Sequence, residues 1–320
     1  MLVRLFSWMM LAVLAAFLFN NYLNFWQGFP GAGAAFGAQA HGGASPSLAW
    51  LQVGLYALGI VLAVFYVMRS KDAPLRPDSK RITDINTFII RAAFWAVLIV
   101  GLADMTISFL RVEGLLDQLV GHQLASDLGR SQYRGAYVHM PLIALSVAIA
   151  AFTRTLGFPW LALLVVVAEL LIVVGRFIFS YEQAFMADLV RFWYAALFLF
   201  ASAYTLVEEG HVRVDVFYSG FSSKLKGYVN AIGSILLGMT FCWTILIIGM
   251  AGRNNIINSP LLSYEVTQSG FGLFVKYLMA GFLAVFAATM LIQFVSYLLD
   301  AVADIREEPG GREHEAPHVS

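Results

Sequence analysis

The chain has 320 residues, of which 60% are hydrophobic and only 12% charged, and its mean hydropathy is +0.75. With 20 Lys and Arg against 20 Asp and Glu there is no net charge to draw a nucleic acid, and the charges cluster between long apolar runs; nucleic-acid binding is excluded and an integral membrane protein is expected. One cysteine, Cys242, lies inside an apolar run, which excludes an internal disulfide, a Cys-rich zinc site and an iron–sulfur cluster.

A bilayer core of about 30 Å is crossed by roughly 20 apolar helical residues. The first stretch that qualifies is 5–26. Arg4 ahead of it and Ala38-Gln-Ala40 beyond it would also fit a secretory signal, but Ala40 is far from the apolar run. Tyr22, Phe25 and Trp26 form an interfacial aromatic anchor, so the stretch is taken as a span. Residues 47–68 and 88–110 supply the second and third. In 111–137, Val112, Leu115, Leu116, Leu119, Val120 and Leu124 recur at helical intervals between charges, the pattern of a helix lying in the outer interface. Residues 138–152 are short for a span unless the helix starts nearer Arg134, and Thr155-Leu-Gly-Phe-Pro159 reads as a tight connection to the next helix. Stretches 158–179, 189–207, 227–250 and 272–299 complete a set of about eight. The expected class is an all-α integral membrane protein of about eight transmembrane helices. The acidic, Pro- and Gly-containing tail after Asp304 is expected to be disordered.

Orientation follows from Lys and Arg in alternate loops. One side carries Arg4; Arg69, Lys71, Arg76, Lys80 and Arg81; Arg154; Arg213, Lys224 and Lys226; and Arg306 and Arg312, twelve in all. The other carries four, Arg111, Arg130, Arg134 and Arg253, and its loop 27–46 has no charge. Both termini are therefore expected to be cytoplasmic.

Of six histidines, His41, His122, His211, His314 and His318 fall in loops or the tail, leaving His139 alone near a helix end, so paired haem ligands are not expected. No Gly-rich phosphate loop, His-Glu-x-x-His pattern or Gly-x-Ser-x-Gly elbow occurs; no catalytic residue, metal or cofactor is expected. Asp104 and Glu169 are the two acids deep in apolar runs, where a charge usually faces protein or water. Glu169 stands near mid-helix, with Arg176 seven residues on along the same face but about 10 Å away, too far for direct pairing. Each acid reads either as a cation or proton site or, more plainly, as a hydrogen-bonded structural group. Arg91 and Arg191 sit in first turns and can snorkel. In the helix after Leu189, Arg191, Ala195, Phe198, Ser202, Thr205 and Glu209 form a mostly small or polar stripe, and Trp193, Leu197, Phe200 and Tyr204 a bulky one. Gly227, Ala231, Ser234, Gly238 and Cys242 line a small-residue face of the next helix, read as packing surface.

Between these two helices runs Gly210-His-Val-Arg-Val-Asp215, which if extended sets His211, Arg213 and Asp215 on one side and the valines on the other. This string, with Arg191 in Asp188-Leu-Val-Arg-Phe-Trp193 twenty residues before the motif and Gly175-Arg176-Phe-Ile-Phe179 earlier still, resembles the small membrane subunit of tripartite ATP-independent periplasmic (TRAP) transporters. The loop from Asn258-Ser-Pro260 to Lys276, with Ser263 and Glu265, is more weakly similar to that family's last interhelical segment. Two features depart from the family. Phe185-Met-Ala-Asp188 keeps one acid where the family carries a pair, and residues 1–155 have no counterpart in ordinary small subunits, resembling instead the extension of a longer-chain branch.

The resemblance implies three parts: an N-terminal extension of about four transmembrane helices and an interfacial helix over 1–157, a four-helix core over 158–301, and a cytoplasmic tail over 302–320. It implies a scaffold in the bacterial inner membrane for a large permease subunit, which moves an organic acid with sodium ions by an elevator motion, the acid arriving on a periplasmic binding protein. Arg176, Asp188, Arg191, Gly210, His211, Arg213 and Asp215 would then serve structure and assembly. A membrane anchor of a redox enzyme would need haem or quinone sites, which the histidine distribution disfavours. A self-sufficient carrier would need paired broken helices or an inverted repeat, and neither is visible.

Overall fold

A computed structural model describes residues 1–43, 45, 47–154, 158–181, 184–207, 218, 220–266 and 272–310. Among these residues there is no strand, and eight helices are long and apolar enough to cross a membrane. They are α1 (Leu2–Phe25), α2 (Ser47–Arg69), α3 (Leu75–Val112), α4 (Ser131–Phe152), α5 (Phe158–Ile178), α6 (Ala184–Val207), α7 (Ser223–Met250) and α8 (Lys276–Ile305). The chain is an all-α, multi-pass membrane protein.

Three boundaries differ from expectation. Helix α3 has 38 residues, about 57 Å, and starts thirteen residues before the apolar run at Phe88. Pro77 falls in its first turn, where a missing N–H costs nothing, and Arg76 and Asp78 find partners that let the charged stretch stay helical. Helix α4 does begin near Arg134, which makes it long enough to span. The single interfacial helix expected after α3 is instead two short ones, Leu116–Val120 and His122–Leu128, separated by Gly121 at φ 82°, a left-handed backbone angle that Gly adopts without strain. Leu116, Ala125 and Leu128 are buried against Ile107 and Leu110 of α3 and Tyr133 and Val138 of α4, so the segment is folded onto protein. The tail expected to be disordered from residue 302 is helical to Ile305, and Glu308 accepts the Leu75 N–H at 2.8 Å.

The chain forms two compact units, one of Met1–Ile85, Gly210–Trp243 and Met290–Ser320, the other of Asn86–Glu209 and Thr244–Thr289. Each draws residues from both sides of the expected boundary at 157, so that boundary in sequence is not a boundary in packing.

In the first unit α1 and α2 form an antiparallel hairpin held by polar groups at both ends. Gln52 is fully buried; its amide donates to Asn20 at 2.9 Å and Asn24 at 2.6 Å, and its oxygen accepts the Gly31 N–H at 2.7 Å. At the opposite end Arg4, 1% exposed, pairs with Asp78 at 2.8 Å and donates to the hydroxyl and carbonyl of Ser70, while Trp8 and Tyr66 also donate to Asp78. The start of α3 is keyed to the end of α8 by Ser79 and Thr83 at the Ser296 hydroxyl, by Gln293 donating to Thr83, and by Arg76 on Asp304 at 2.7 Å. The small-residue face of α7 packs as read: Ala301 and Ile305 lie against Gly227, and the Phe294 ring against Gly238.

In the second unit the buried face of α6 is Phe185, Leu189, Phe192, Trp193, Ala196, Phe200 and Ala203, a 3.6-residue period. Trp193 and Phe200 of the bulky stripe are inside, whereas Arg191 and Phe198 of the other stripe are exposed. A side chain at Gly101 of α3 would collide with the Trp193 indole, so the glycine permits the close approach in which Trp193 donates to the Val97 carbonyl at 3.3 Å.

Candidate functional site

Asp104 on α3 is a fully buried acid of the second unit. Asp104, Arg134 and His139 have no exposed surface at all. Arg134 donates through Nη1 to Asp104 Oδ1 at 2.8 Å and to Ser108 Oγ at 3.0 Å, and through Nε and Nη2 to the Leu128 carbonyl at 3.0 and 2.8 Å. His139 Nε2 lies 3.1 Å from the same Asp104 oxygen, and its Nδ1 is 2.9 Å from the Tyr277 hydroxyl. A carboxylate facing an arginine accepts only, so we assign the imidazole proton to Nε2, with Nδ1 accepting from Tyr277. The remaining Asp104 oxygen accepts the Phe274 N–H at 2.7 Å. One negative and one positive charge are thus matched out of reach of solvent, the guanidinium making four hydrogen bonds and the carboxylate accepting three. The Phe274 ring stacks under two guanidinium groups, Arg134 at 4.2 Å and Arg111 at 4.7 Å from its centroid.

Local backbone explains how Arg134 and His139 reach one acceptor. Residues five apart point about 140° away from each other on an α-helix. Here Gly135–His139 is a π-helical turn, whose five-residue hydrogen-bond spacing brings them to the same side. Pro141, two residues further on, has no N–H to offer the preceding turn, which favours such a bulge. A side chain at Gly135 would strike the Tyr264 ring, so the turn also depends on a residue without Cβ.

Asp188, expected as a family-motif residue, belongs to the same junction. It is buried and accepts the Leu273 N–H at 3.2 Å, so acids from α3 and α6 take the consecutive N–H groups of Leu273 and Phe274 ahead of α8. Arg191 lies 3.5 Å from Asp188 with its side chain 71% exposed. Lys276 and Glu265 pair at 2.5 Å nearby, and the Glu265 carbonyl accepts the Tyr277 N–H at 3.0 Å.

Glu169 and Arg176 are not drawn into this junction. Both are exposed on α5, of whose span only 11% is buried, with Leu161 and Ala168 as its inward contacts. No ion pair or hydrogen bond involves the Glu169 carboxylate among the described residues. A charge at the centre of a span costs about 2.5–3.5 kcal/mol on insertion scales, so this exposed acid stands out. The string Gly210, His211, Arg213 and Asp215 lies outside the described residues.

Sequence reasoning singled out Asp104 but not its partners. Arg134 was counted as a loop charge and is instead wholly buried within α4. His139 and Tyr277 carried no motif. The only signal was Pro141 downstream of an Arg and a His in one span.

The second unit is thus an all-helical membrane-protein fold fastened by the buried Asp104–Arg134 pair and by Asp188. The comparison with protein families makes this specific: residues 162–304 match the DctQ component of tripartite ATP-independent periplasmic transporters. The matched segment, similar to the small permease component of a TRAP transporter, runs from α5 to the end of α8 and is preceded by extra helices. No curated protein sequence and no solved structure matches the chain.

Proposed function

We propose that the chain is the small permease subunit of a sodium-coupled TRAP transporter of the bacterial inner membrane, with both termini cytoplasmic. It scaffolds a large permease subunit, which takes up an organic acid delivered by a periplasmic binding protein. The observation that carries this reading is the DctQ match over 162–304, which coincides with α5–α8. The second unit's chemistry supports a scaffold. Asp104 and Asp188 are engaged with backbone N–H groups, and the cavity of about 210 Å³ among Ala96, Ser146, Phe192, Phe200, Phe282 and Val285 carries no charge on its lining. An organic anion would find no counter-charge there. Arg176, Arg191, Gly210, His211, Arg213 and Asp215 then serve assembly, not substrate binding.

The test is reconstitution. Sodium-gradient-dependent uptake of a panel of dicarboxylates, keto acids and sugar acids should require this chain, the large permease and the binding protein together. Uptake by liposomes holding this chain alone would replace the scaffold reading with that of a self-sufficient carrier.

A further inference from the structure

Glu169 lies eleven residues from the start of α5 and nine from its end, about 16 and 14 Å along the axis, so its carboxylate reaches neither interface of a 30 Å core. It is surface-exposed, and Val166 at 63%, Leu170 at 59% and Val173 at 48% exposure surround it on the same side. Arg176, two turns further on, is about 10 Å away along the axis and stands at the helix end, where its guanidinium can reach water. Nothing on α5 itself therefore supplies a donor to the acid. Lipid tails cannot supply one either, and water does not occupy the hydrocarbon centre.

An isolated carboxylate on an otherwise apolar face is matched only by a protein surface with a donor at the same depth. A second copy of α5 would offer the same acid, and two carboxyl groups pair only when one of them holds a proton, whereas a helix with an amide, hydroxyl or cationic side chain supplies a donor outright. We propose that this face of α5 docks a transmembrane helix of the large permease subunit, and that Glu169 accepts a hydrogen bond from a donor side chain of that helix at mid-membrane. The assignment rests on the scaffold reading above and names the surface that would serve it. Valines and leucines supply shape, but they do so equally well against lipid. The acid fixes depth and rotation, because only one register puts a donor beside it.

The experiment uses the full chain co-expressed with the large permease. A photoreactive benzoyl-phenylalanine replaces Val166 or Val173, with Glu169 intact, and Leu58, an exposed residue of α2, serves as control position. Crosslinks to the permease are expected from 166 and 173 and not from 58. In parallel, Glu169→Leu should lower recovery of the permease by about tenfold, the factor for a 1.4 kcal/mol change, while Glu169→Gln, which keeps an acceptor oxygen, should stay within about threefold. Size-exclusion profiles of the variant chains alone check folding. If unsubstituted chain recovers the permease but 166 and 173 crosslink to a second copy or to no protein, the docking surface is wrong and the scaffold reading stands. If unsubstituted chain recovers no permease, both fall.

Discussion

Replacing Asp104 by Ala removes one carboxylate and leaves three donors without an acceptor: Arg134 Nη1, His139 Nε2 and the Phe274 N–H. The largest consequence is electrostatic, since Arg134 has no exposed surface and cannot swing to water. Stranding one member of a buried pair costs roughly 3–5 kcal/mol, a large part of the 5–15 kcal/mol that holds a typical protein together. Arg134→Ala should cost a similar amount, for it strands the acid and frees the Leu128 carbonyl. In the double variant no charge is left unpaired. What remains is the Phe274 N–H, the His139 Nε2–H and the Leu128 carbonyl without partners, at about 1–3 kcal/mol each, or roughly 3–9 kcal/mol together. The sum of the single effects is about 6–10 kcal/mol, so at the midpoints of these ranges the pair should show a coupling of about 2 kcal/mol. Reversible unfolding by SDS in mixed micelles, followed by circular dichroism, measures all three variants on one scale. Single effects that add to the double within about 0.5 kcal/mol would show the two groups to be independent and would refute this account of the cluster.

Tyr277→Phe removes the hydroxyl that His139 Nδ1 accepts and should destabilise by about 1–3 kcal/mol in the same assay, less than Asp104→Ala because no charge is stranded. Arg4→Ala should destabilise the chain by about 3–5 kcal/mol, since Asp78 is buried against it; an unchanged unfolding midpoint would mean that the α1 end does not pack as described. Single-cysteine labelling in a Cys242→Ser background should find His41 outside and Lys71 inside, and labelling of both from one side would overturn the proposed topology.

Helix number and class were legible because apolar length is a local property, and a run such as 158–179 announces a span without reference to any neighbour. The first thirteen residues of α3 were not legible. The charged run from Arg76 to Asp84 looks like a loop until Arg4, distant in sequence, pairs with Asp78, and Asp304 and Glu308 take Arg76 and the Leu75 N–H. Arg134 was misread for the same reason, since nothing near it in sequence shows that Asp104 will neutralise it. Glu169 illustrates the converse. Sequence placed it at mid-span, but its exposure on α5 depends on which faces of the other helices are already occupied, and periodicity alone does not give that.

Lipid changes what apolar packing can specify. A leucine on a membrane helix gains little by leaving hydrocarbon tails for another leucine, so shape alone weakly selects one helix arrangement over another. Polar groups select strongly, because an unpartnered donor has no water to fall back on. The contacts that cross from the extension to the DctQ segment follow this rule. Within one unit Arg76 meets Asp304 and Ser79 meets Ser296; within the other Asn86 donates to the Thr289 carbonyl, Trp193 to the Val97 carbonyl, and Asp104 accepts from Phe274. Each pairs a residue before position 157 with one after it, so the extra helices are keyed to the small-subunit domain at defined depths and are not merely appended to it. By the same logic the one acid in α5, which no other described residue satisfies, points to the helix face left for another subunit.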